Sequence, residues 1–339
     1  MTALQVTWFF LIGVLLVGYA ILDGFDLGVG IWHLFAKGDE NRRTLLNAIG
    51  PVWDGNEVWL LTGGGAIFAA FPHVYATVFS GLYLALMLVL LGLIFRAVSI
   101  EFRSKVASPR WRSVWDTAFA VGSALPALLF GVAMGNILRG LPLNESKDFA
   151  GTFFGLLNPY ALMIGVLGFV MFATHGANYI VLKTEGQLAD QARSWARRSS
   201  VAYLGLFVVA VVVTVITQPQ LLANCRALQF LWVVPAVALV AIAMTCVANR
   251  KDQAGNAFAW STVSIAGLMA MCGAGIFPKI VPALNDPELS LTIGNASSSA
   301  RTLTVMLVVA LVGMPLVLIY TGWIYHTFRG KVRLTADSY

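Results

Sequence analysis

Charged residues are scarce in this sequence, and cysteine is scarcer still. Asp, Glu, Lys and Arg make up 11% of the 339 residues, against roughly 25% in soluble domains. The chain therefore cannot cover a folded surface with charge. The three cysteines, Cys225, Cys246 and Cys272, show no metal-type spacing, which argues against a zinc site and against a disulfide framework.

Apolar residues take up the remaining composition, at 58% of the chain with a mean hydropathy of +0.79. Lipid must then be the solvent, and backbone groups at hydrocarbon depth are satisfied inside helices because the apolar runs are too long for barrel strands. The sequence predicts an all-α polytopic membrane protein of about nine spanning helices. Their expected positions are 6–34, 49–71, 76–98, 114–138, 156–182, 200–217, 228–247, 257–277 and 303–326.

The formal charge of +6 does not indicate a nucleic-acid partner, because Lys and Arg lie in short connectors and form no single patch. Most of the basic residues fall in alternate connectors, with Arg96 counted in the one that follows the third helix. By the positive-inside rule this places the N-terminus outside and the C-terminus in the cytoplasm. The alternation requires the helix at 49–71.

A weak internal repeat relates the two halves of the chain. Residues 12–15 and 164–167 both read Ile-Gly-Val-Leu, and the same offset aligns Asp23-Gly24 with His175-Gly176. Four helices separate the two copies, so a duplication would keep their orientation. The repeat predicts one four-helix unit over 1–155, a second over 156–300, and a ninth helix with a cytoplasmic tail over 301–339.

Four acids lie inside apolar runs and carry most of the functional information. Asp23 and Asp26 come late in the first helix, and Asp54 and Glu57 come early in the second. The members of each pair are three residues apart and share a helix face. The predicted topology puts all four in the cytoplasmic half of the membrane, with no Lys or Arg at that depth to neutralise them.

Carboxyl groups at membrane depth are costly and favour the protonated form, so they suit a proton path from the cytoplasm. The alternative is structural: Asp23 and Asp26 would cap a neighbouring helix or bond a Trp N–H, and Glu57 would reach the interface. Trp53 and Trp59 flank the acids of the second helix, whereas most other tryptophans lie at the predicted membrane boundaries.

Histidine gives a further test, because haem at membrane depth commonly takes His or Met ligands from helices. Only His175 lies well inside a predicted helix, and the methionines are scattered. We interpret His175 as a hydrogen-bonded core residue or a member of a proton path, and as a weak candidate for a cofactor ligand. The sequence predicts no metal site.

Two stretches resemble signature segments of a known family. They are Asp-Gly-Phe-Asp-Leu-Gly-Val-Gly at 23–30 and Pro-Val-Trp-Asp-Gly-Asn-Glu-Val-Trp-Leu at 51–60. Further segments resemble the same family in order, at 68–72, 79–81, 102–105, 110–116, 135–136 and 157–159. By these motifs the chain is similar, over nearly its whole length, to subunit II of the cytochrome bd quinol oxidases.

The resemblance implies a subunit of a terminal respiratory oxidase in the bacterial inner membrane, which oxidises quinol and reduces dioxygen to water. Haems b and d would be held by subunit I. Asp54 with Trp53, and Glu57 beside them, would belong to the proton route, Trp59 would lie near an oxygen entry route, and Asp23 and Asp26 would be supporting polar groups. Whether a small single-helix subunit is present, and whether a structural quinone or lipid binds in this chain, stay open. The 218–227 connector is short, so membership of the cyanide-insensitive branch also stays open.

Two other functional classes stay open at this point. A transporter coupled to H⁺ or Na⁺ would also use intramembrane carboxylates. A membrane scaffold would use the same acids only to hold helices together. The acids cluster toward one side and the repeat is parallel, which weakens the case for an inverted-repeat transporter.

Overall fold

The computed structural model describes residues 1–334, and these are almost entirely helical. A 3₁₀ turn at His33–Phe35 extends the first helix, and two short antiparallel strands, β1 (Lys279–Val281) and β2 (Leu291–Thr292), precede the last one. The helices are α1 (Ala3–Trp32), α2 (Asp39–Ile49), α3 (Trp53–Ala70), α4 (Pro72–Gly81), α5 (Tyr83–Phe102), α6 (Pro109–Arg139), α7 (Pro159–Lys183), α8 (Gly186–Thr217), α9 (Ala223–Ala227), α10 (Val233–Arg250), α11 (Ala254–Ile276) and α12 (Ala300–Thr327).

Eight of the described helices are long and apolar enough to cross a membrane: α1, α5, α6, α7, α8, α10, α11 and α12. The all-α polytopic fold is thereby confirmed. The ninth predicted span corresponds to α3, which has 18 residues and carries Asp54 and Glu57. It runs antiparallel to α1, because Asn56 bonds the Leu22 carbonyl and Gly63 faces Leu16. That α3 crosses the membrane stays a prediction.

The helix predicted over 76–98 is wrong in its boundaries. Pro72 begins the separate helix α4, a position where its missing N–H costs nothing. The helix is interrupted at Leu82, and α5 begins at Tyr83 and continues to Phe102. As a result Arg96 lies within a helix and not in a connector, which corrects its placement by sequence.

Two helices also differ from the expected positions at the charged end of the bundle. The sequence analysis did not predict α2, which begins with Asp39 and Glu40 and buries Leu45 and Ile49. Helix α8 begins at Gly186, well before the predicted start at 200. Its first turns carry basic residues beyond the apolar stretch, so hydropathy alone placed the boundary too late.

The helices pack in two groups that have similar contacts. α1 contacts α3 and α6, and α5 packs on α6; in the second half α7 contacts α8 and α11, and α10 packs on α8 and α11. The groups meet where α1 and α6 pack on α7. A Cβ at Gly28 would overlap the Phe172 carbonyl and Gly176, so the backbones touch through small residues. Four-helix units over 1–155 and 156–300 stay a prediction that these contacts suit.

Contacts between the connectors show which of them lie together at each end of the bundle. At one end Arg103 pairs with Asp39, and Lys331 bonds the carbonyl of Thr184. At the other end the Trp8 indole donates to the carbonyl of Leu303. The first and last described residues therefore lie at opposite ends, and the end with Arg103 is the one that we predict to be cytoplasmic. Within the third predicted unit, 301–339, residues 335–339 lie outside the described part.

Candidate functional site

Two of the predicted site residues contact one buried arginine. Arg96 Nη1 lies 2.7 Å from Asp23 Oδ1, and Arg96 Nη2 donates to Glu57 Oε2 at 3.1 Å. Arg96 and Asp23 are 0% exposed and Glu57 is 22% exposed. The expectation that no cation lies at the depth of the acids is therefore wrong. It failed because the pairing joins α1, α3 and α5, which are far apart in sequence.

Asp26 joins the same region through a second polar side chain. Asn56 Nδ2 donates to Asp26 Oδ2 at 2.8 Å and to the Leu22 carbonyl at 3.3 Å. The Tyr325 hydroxyl donates to Asn56 Oδ1 at 2.8 Å. Sequence reasoning identified neither Asn56 nor Tyr325, although Asn56 lies between the two acids of α3.

The polar cluster of Asp23, Asp26, Asn56, Glu57 and Arg96, hereafter the intramembrane cluster, has unused hydrogen-bonding capacity. Neither oxygen of Asp23 makes a hydrogen bond of good geometry with the described residues, and Asp26 Oδ1 and Arg96 Nε also have no such partner. Buried polar atoms are usually all bonded, and exceptions are common at functional sites. The cluster can therefore accept further hydrogen bonds or protons.

Asp54 lies outside this cluster, on the exposed surface of α3. Each helical residue rotates by about 100°, so Asp54 points about 200° away from Asn56 and away from α1. Its surface neighbours Val58 and Leu61 are 48% and 71% exposed. Asp54 and Glu57 thus share an edge of the helix, from which only Glu57 reaches Arg96. Trp53 is half-buried on the turn where α3 begins.

A third buried carboxylate, Asp116, which was not predicted from the sequence, lies at the charged end of the bundle. Asp116 Oδ1 contacts His33 Nε2 at 2.6 Å, and Oδ2 accepts from Arg42 Nη1 at 2.8 Å. Arg103 donates to both oxygens of Asp116 and also to Asp39. Burial disfavours the charge of Arg103, but its bonds to these two acids outweigh that effect and raise its pKa. This clamp, built on Asp116, joins α1, α2, α5 and α6.

His175 is enclosed among core residues. Its Nδ1 lies 2.7 Å from the Ser261 hydroxyl, its Nε2 lies 3.1 Å from the Ile21 carbonyl, and its ring stacks on Phe258. With both ring nitrogens engaged, His175 is not oriented toward a cofactor. This geometry supports its interpretation as a core residue.

The described residues do not fit a haem site. His33 is engaged by Asp116, and His175 is enclosed. His73 is half-buried and His326 is exposed, each near a helix end. The described part of the chain also contains no group of three or more His, Cys, Asp or Glu side chains arranged to hold a metal ion.

An apolar cavity of about 370 Å³ lies beside the intramembrane cluster. It opens between α6, α7, α8, α10 and α11, and its lining includes Tyr19, Leu60 and Phe130. Trp59 is buried next to these residues and packs on Gly18, where an added Cβ would overlap the indole ring. The hydroxyls of Tyr19, Tyr160 and Thr214 are polar groups in a wall that is otherwise mostly apolar.

Comparison with known proteins agrees with this architecture. The family model "Cytochrome bd terminal oxidase subunit II" matches residues 4–328. The chain is 39% identical to "Cytochrome bd-I ubiquinol oxidase subunit 2" of Escherichia coli K12, over 97% of this chain and 95% of that protein. It is 36% identical to "Cytochrome bd ubiquinol oxidase subunit 2" of Bacillus subtilis 168, over 98% of each.

A solved structure shows the same fold. The bd oxidase from Geobacillus thermodenitrificans contains a chain that superposes with a TM-score of 0.78, at 16% identity, over 96% of this chain and 99% of that one. The family model and the relatives together identify the sequence family. The chain belongs to the cytochrome bd terminal oxidase subunit II family.

Proposed function

We propose that this chain supplies part of the cytoplasmic proton route of a quinol oxidase that reduces dioxygen to water. The observation that carries the proposal is the acidic edge of α3. Asp54 is exposed and Glu57 is partly exposed on a helix whose other outward residues, apart from Thr62, are apolar. A carboxyl group on such a face must be covered by water or by a partner protein.

The geometry supports two successive carriers. Asp54 lies in the first turn of α3, at the end of the bundle predicted to be cytoplasmic, and Glu57 lies about 4.5 Å farther along the helix axis. Carboxyl groups can take up and release protons when they are within reach of each other or of one water. Protons would enter at Asp54 and pass by Glu57 toward the partner subunit.

Arg96 and the buried acids of α1 would set the electrostatics of this route. Arg96 contacts both Asp23 and Glu57, so a proton that arrives at Glu57 changes the charge balance around one fixed cation. Asp26, bonded to Asn56, holds the start of α3 against α1. We therefore assign Asp23 and Asp26 a supporting role.

Family membership favours the oxidase over a coupled transporter or a scaffold. We propose that subunit I of the oxidase is the partner and that it holds haems b and d, because the described residues of this chain offer no haem site. Quinol would be the substrate of the complex, as the names of the relatives indicate. A small single-helix subunit and membrane lipid would cover further apolar surface, with the N-terminus outside and the C-terminus in the cytoplasm.

Two further roles rest on the apolar cavity. Its lining is almost wholly apolar, so it suits a lipid chain or the tail of a structural quinone. Trp59 is a residue of α3 and packs beside Leu60 and Tyr19, which line this cavity. We propose that dioxygen, which is itself apolar, enters from the membrane near Trp59.

The test of the proton route is Asp54→Asn in the assembled oxidase. The change keeps the shape of the side chain and removes its titrating proton, so we expect normal haem content with oxygen consumption reduced at least about tenfold. Asp54→Glu should retain part of the rate. The control is Glu145→Gln, an exposed acid at the opposite end of the bundle, which should leave the rate unchanged.

The two variants separate the possible outcomes. Parent-like turnover of Asp54→Asn, at normal haem content, would show that the proton route lies elsewhere. Equal losses in Asp54→Asn and Glu145→Gln would show a general effect of altering surface charge. Glu57→Gln should give a smaller loss than Asp54→Asn, because Glu57 is also held by Arg96.

A further inference from the structure

The last described helix reaches into the intramembrane cluster through one hydroxyl. Tyr325, on α12, donates to Asn56 Oδ1 at 2.8 Å, and Asn56 in turn donates to Asp26. Most of α12 is exposed, and Leu303 is its only buried residue. The contact of Tyr325 is therefore unusual for this helix.

The hydroxyl completes the hydrogen bonding of a buried amide. Asn56 is 2% exposed, and its two N–H groups are used by Asp26 and the Leu22 carbonyl. Its carbonyl oxygen needs a donor, and Tyr325 provides it. Because an amide presents N–H on one side and oxygen on the other, this donor also fixes which side faces Asp26.

The tail that follows α12 holds Tyr325 in place. Lys331 Nζ donates to the carbonyls of Val181 and Thr184, at 3.0 and 2.8 Å. Lys183 Nζ donates to the Phe328 carbonyl, and the backbone N–H of Val332 donates to the Lys183 carbonyl. The ammonium of Lys331 thus bonds carbonyls at the C-terminal end of α7, where positive charge is favoured.

The position of Asn56 determines where the acids of α3 point. At about 100° per residue, fixing Asn56 toward α1 places Glu57 toward Arg96 and turns Asp54 to the outer surface. A rotation of α3 would move both acids together. Anchoring Asn56 therefore orients the acidic edge.

We propose that Tyr325 is a positioning residue of this oxidase, which acts through Asn56 to orient Asp26 and the acidic edge of α3. The tail clasp, defined by Lys183, Phe328, Lys331 and Val332, fixes Tyr325 for this task. The effect on turnover rests on the proposed proton route, whereas the effect on Asp26 does not.

The experiment compares Tyr325→Phe with Tyr320→Phe in the assembled oxidase. Tyr320 lies on the same helix and is 59% exposed, so its change controls for the loss of a tyrosine from α12. For Tyr325→Phe we expect normal haem content, an unchanged KM for quinol, and a kcat lower by roughly three- to tenfold, as expected for one lost hydrogen bond. The pH profile of kcat should be displaced.

An infrared measurement reads the positioning directly. The carboxyl band of Asp26, assigned by its loss in Asp26→Asn, should move in Tyr325→Phe and stay in place in Tyr320→Phe. Lys331→Met should move the same band by a smaller amount, because it loosens the clasp and keeps the hydroxyl.

The results for these variants test the positioning role of Tyr325 and the proton route separately. An unchanged band and unchanged kcat in Tyr325→Phe would overturn the positioning role. A Tyr325→Phe complex that fails to assemble, while Tyr320→Phe assembles, would also overturn it and make the hydroxyl purely structural. A moved band in Tyr325→Phe, together with parent-like turnover of Asp54→Asn, would support the positioning role and refute the proton route.

Discussion

Two buried carboxylates of this protein are bonded in opposite ways. Asp116, in the clamp at the end of the bundle, has both oxygens bonded by His33, Arg42 and Arg103. Asp23, in the intramembrane cluster, lies beside Arg96, yet neither of its oxygens makes a hydrogen bond of good geometry with the described residues. Both acids are almost fully buried.

This difference in bonding indicates which of the two acids can change its protonation state. An acid held by several cationic donors loses much of its stabilisation when it gains a proton, so it serves to fix helices. An acid that faces a single cation, as Asp23 faces Arg96, has fewer such donors to lose and can exchange partners at lower cost. We therefore propose that the clamp is structural and that the intramembrane cluster supports the proposed proton route.

The largest expected effect comes from removing the cation of the intramembrane cluster. Arg96→Gln leaves Asp23 buried without a counter-charge, which should cost about 3–5 kcal/mol of stability. We expect a strongly reduced yield of assembled, haem-containing complex, measured by absorption after gentle purification. Arg103→Gln should lose less, because Asp116 keeps Arg42 and His33. Equal yields of assembled complex for the two variants would contradict the difference that we infer between Asp23 and Asp116.

The next effect separates stability from turnover. Asp116→Asn leaves Arg103 and His33 without their shared acceptor charge and should lower stability by about 2–4 kcal/mol. Measured per haem, oxygen consumption should stay within about twofold of the parent. A thermal-inactivation series checks the first expectation and an oxygen electrode checks the second. A selective loss of turnover would place Asp116 in the functional part of the protein.

The smallest effect is expected at the rim of the clamp. Arg112 pairs with Asp39 at 3.0 Å, and both side chains are partly exposed. Such pairs contribute about 0–1 kcal/mol, and salt screens them. Arg112→Gln should therefore shift the thermal-inactivation midpoint only slightly, and high salt should remove the difference. A large shift that persists in high salt would show that the clamp extends farther than its buried core.

Much of the fold could be predicted from sequence because it follows from the local pattern of apolar and charged residues. Long apolar runs identified most of the spanning helices, and intramembrane acids singled out α1 and α3, where we propose the functional region. Boundaries were less accessible: the break at Leu82 and the early start of α8 depend on packing and on polar turns outside the apolar stretch. The short amphipathic helix α2 was hidden in a connector.

The partners of the acids could not be predicted, because pairing across distant helices leaves no local trace. Arg96 was assigned to a connector, although the apolar residues that follow it indicate a continuing helix. Tyr325 reaches Asn56 across 269 positions. Asp116 lay inside a predicted helix and could have been noticed by the same rule that identified Asp23.

The most direct test of the account is proton uptake from the cytoplasmic side during a single turnover of the reconstituted oxidase. The comparison uses Asp54→Asn and Asp116→Asn, each at normal haem content. We predict that proton uptake is slower by at least about tenfold in Asp54→Asn and parent-like in Asp116→Asn. Parent-like uptake in Asp54→Asn, or slow uptake confined to Asp116→Asn, would contradict the assignment of the proton route to α3.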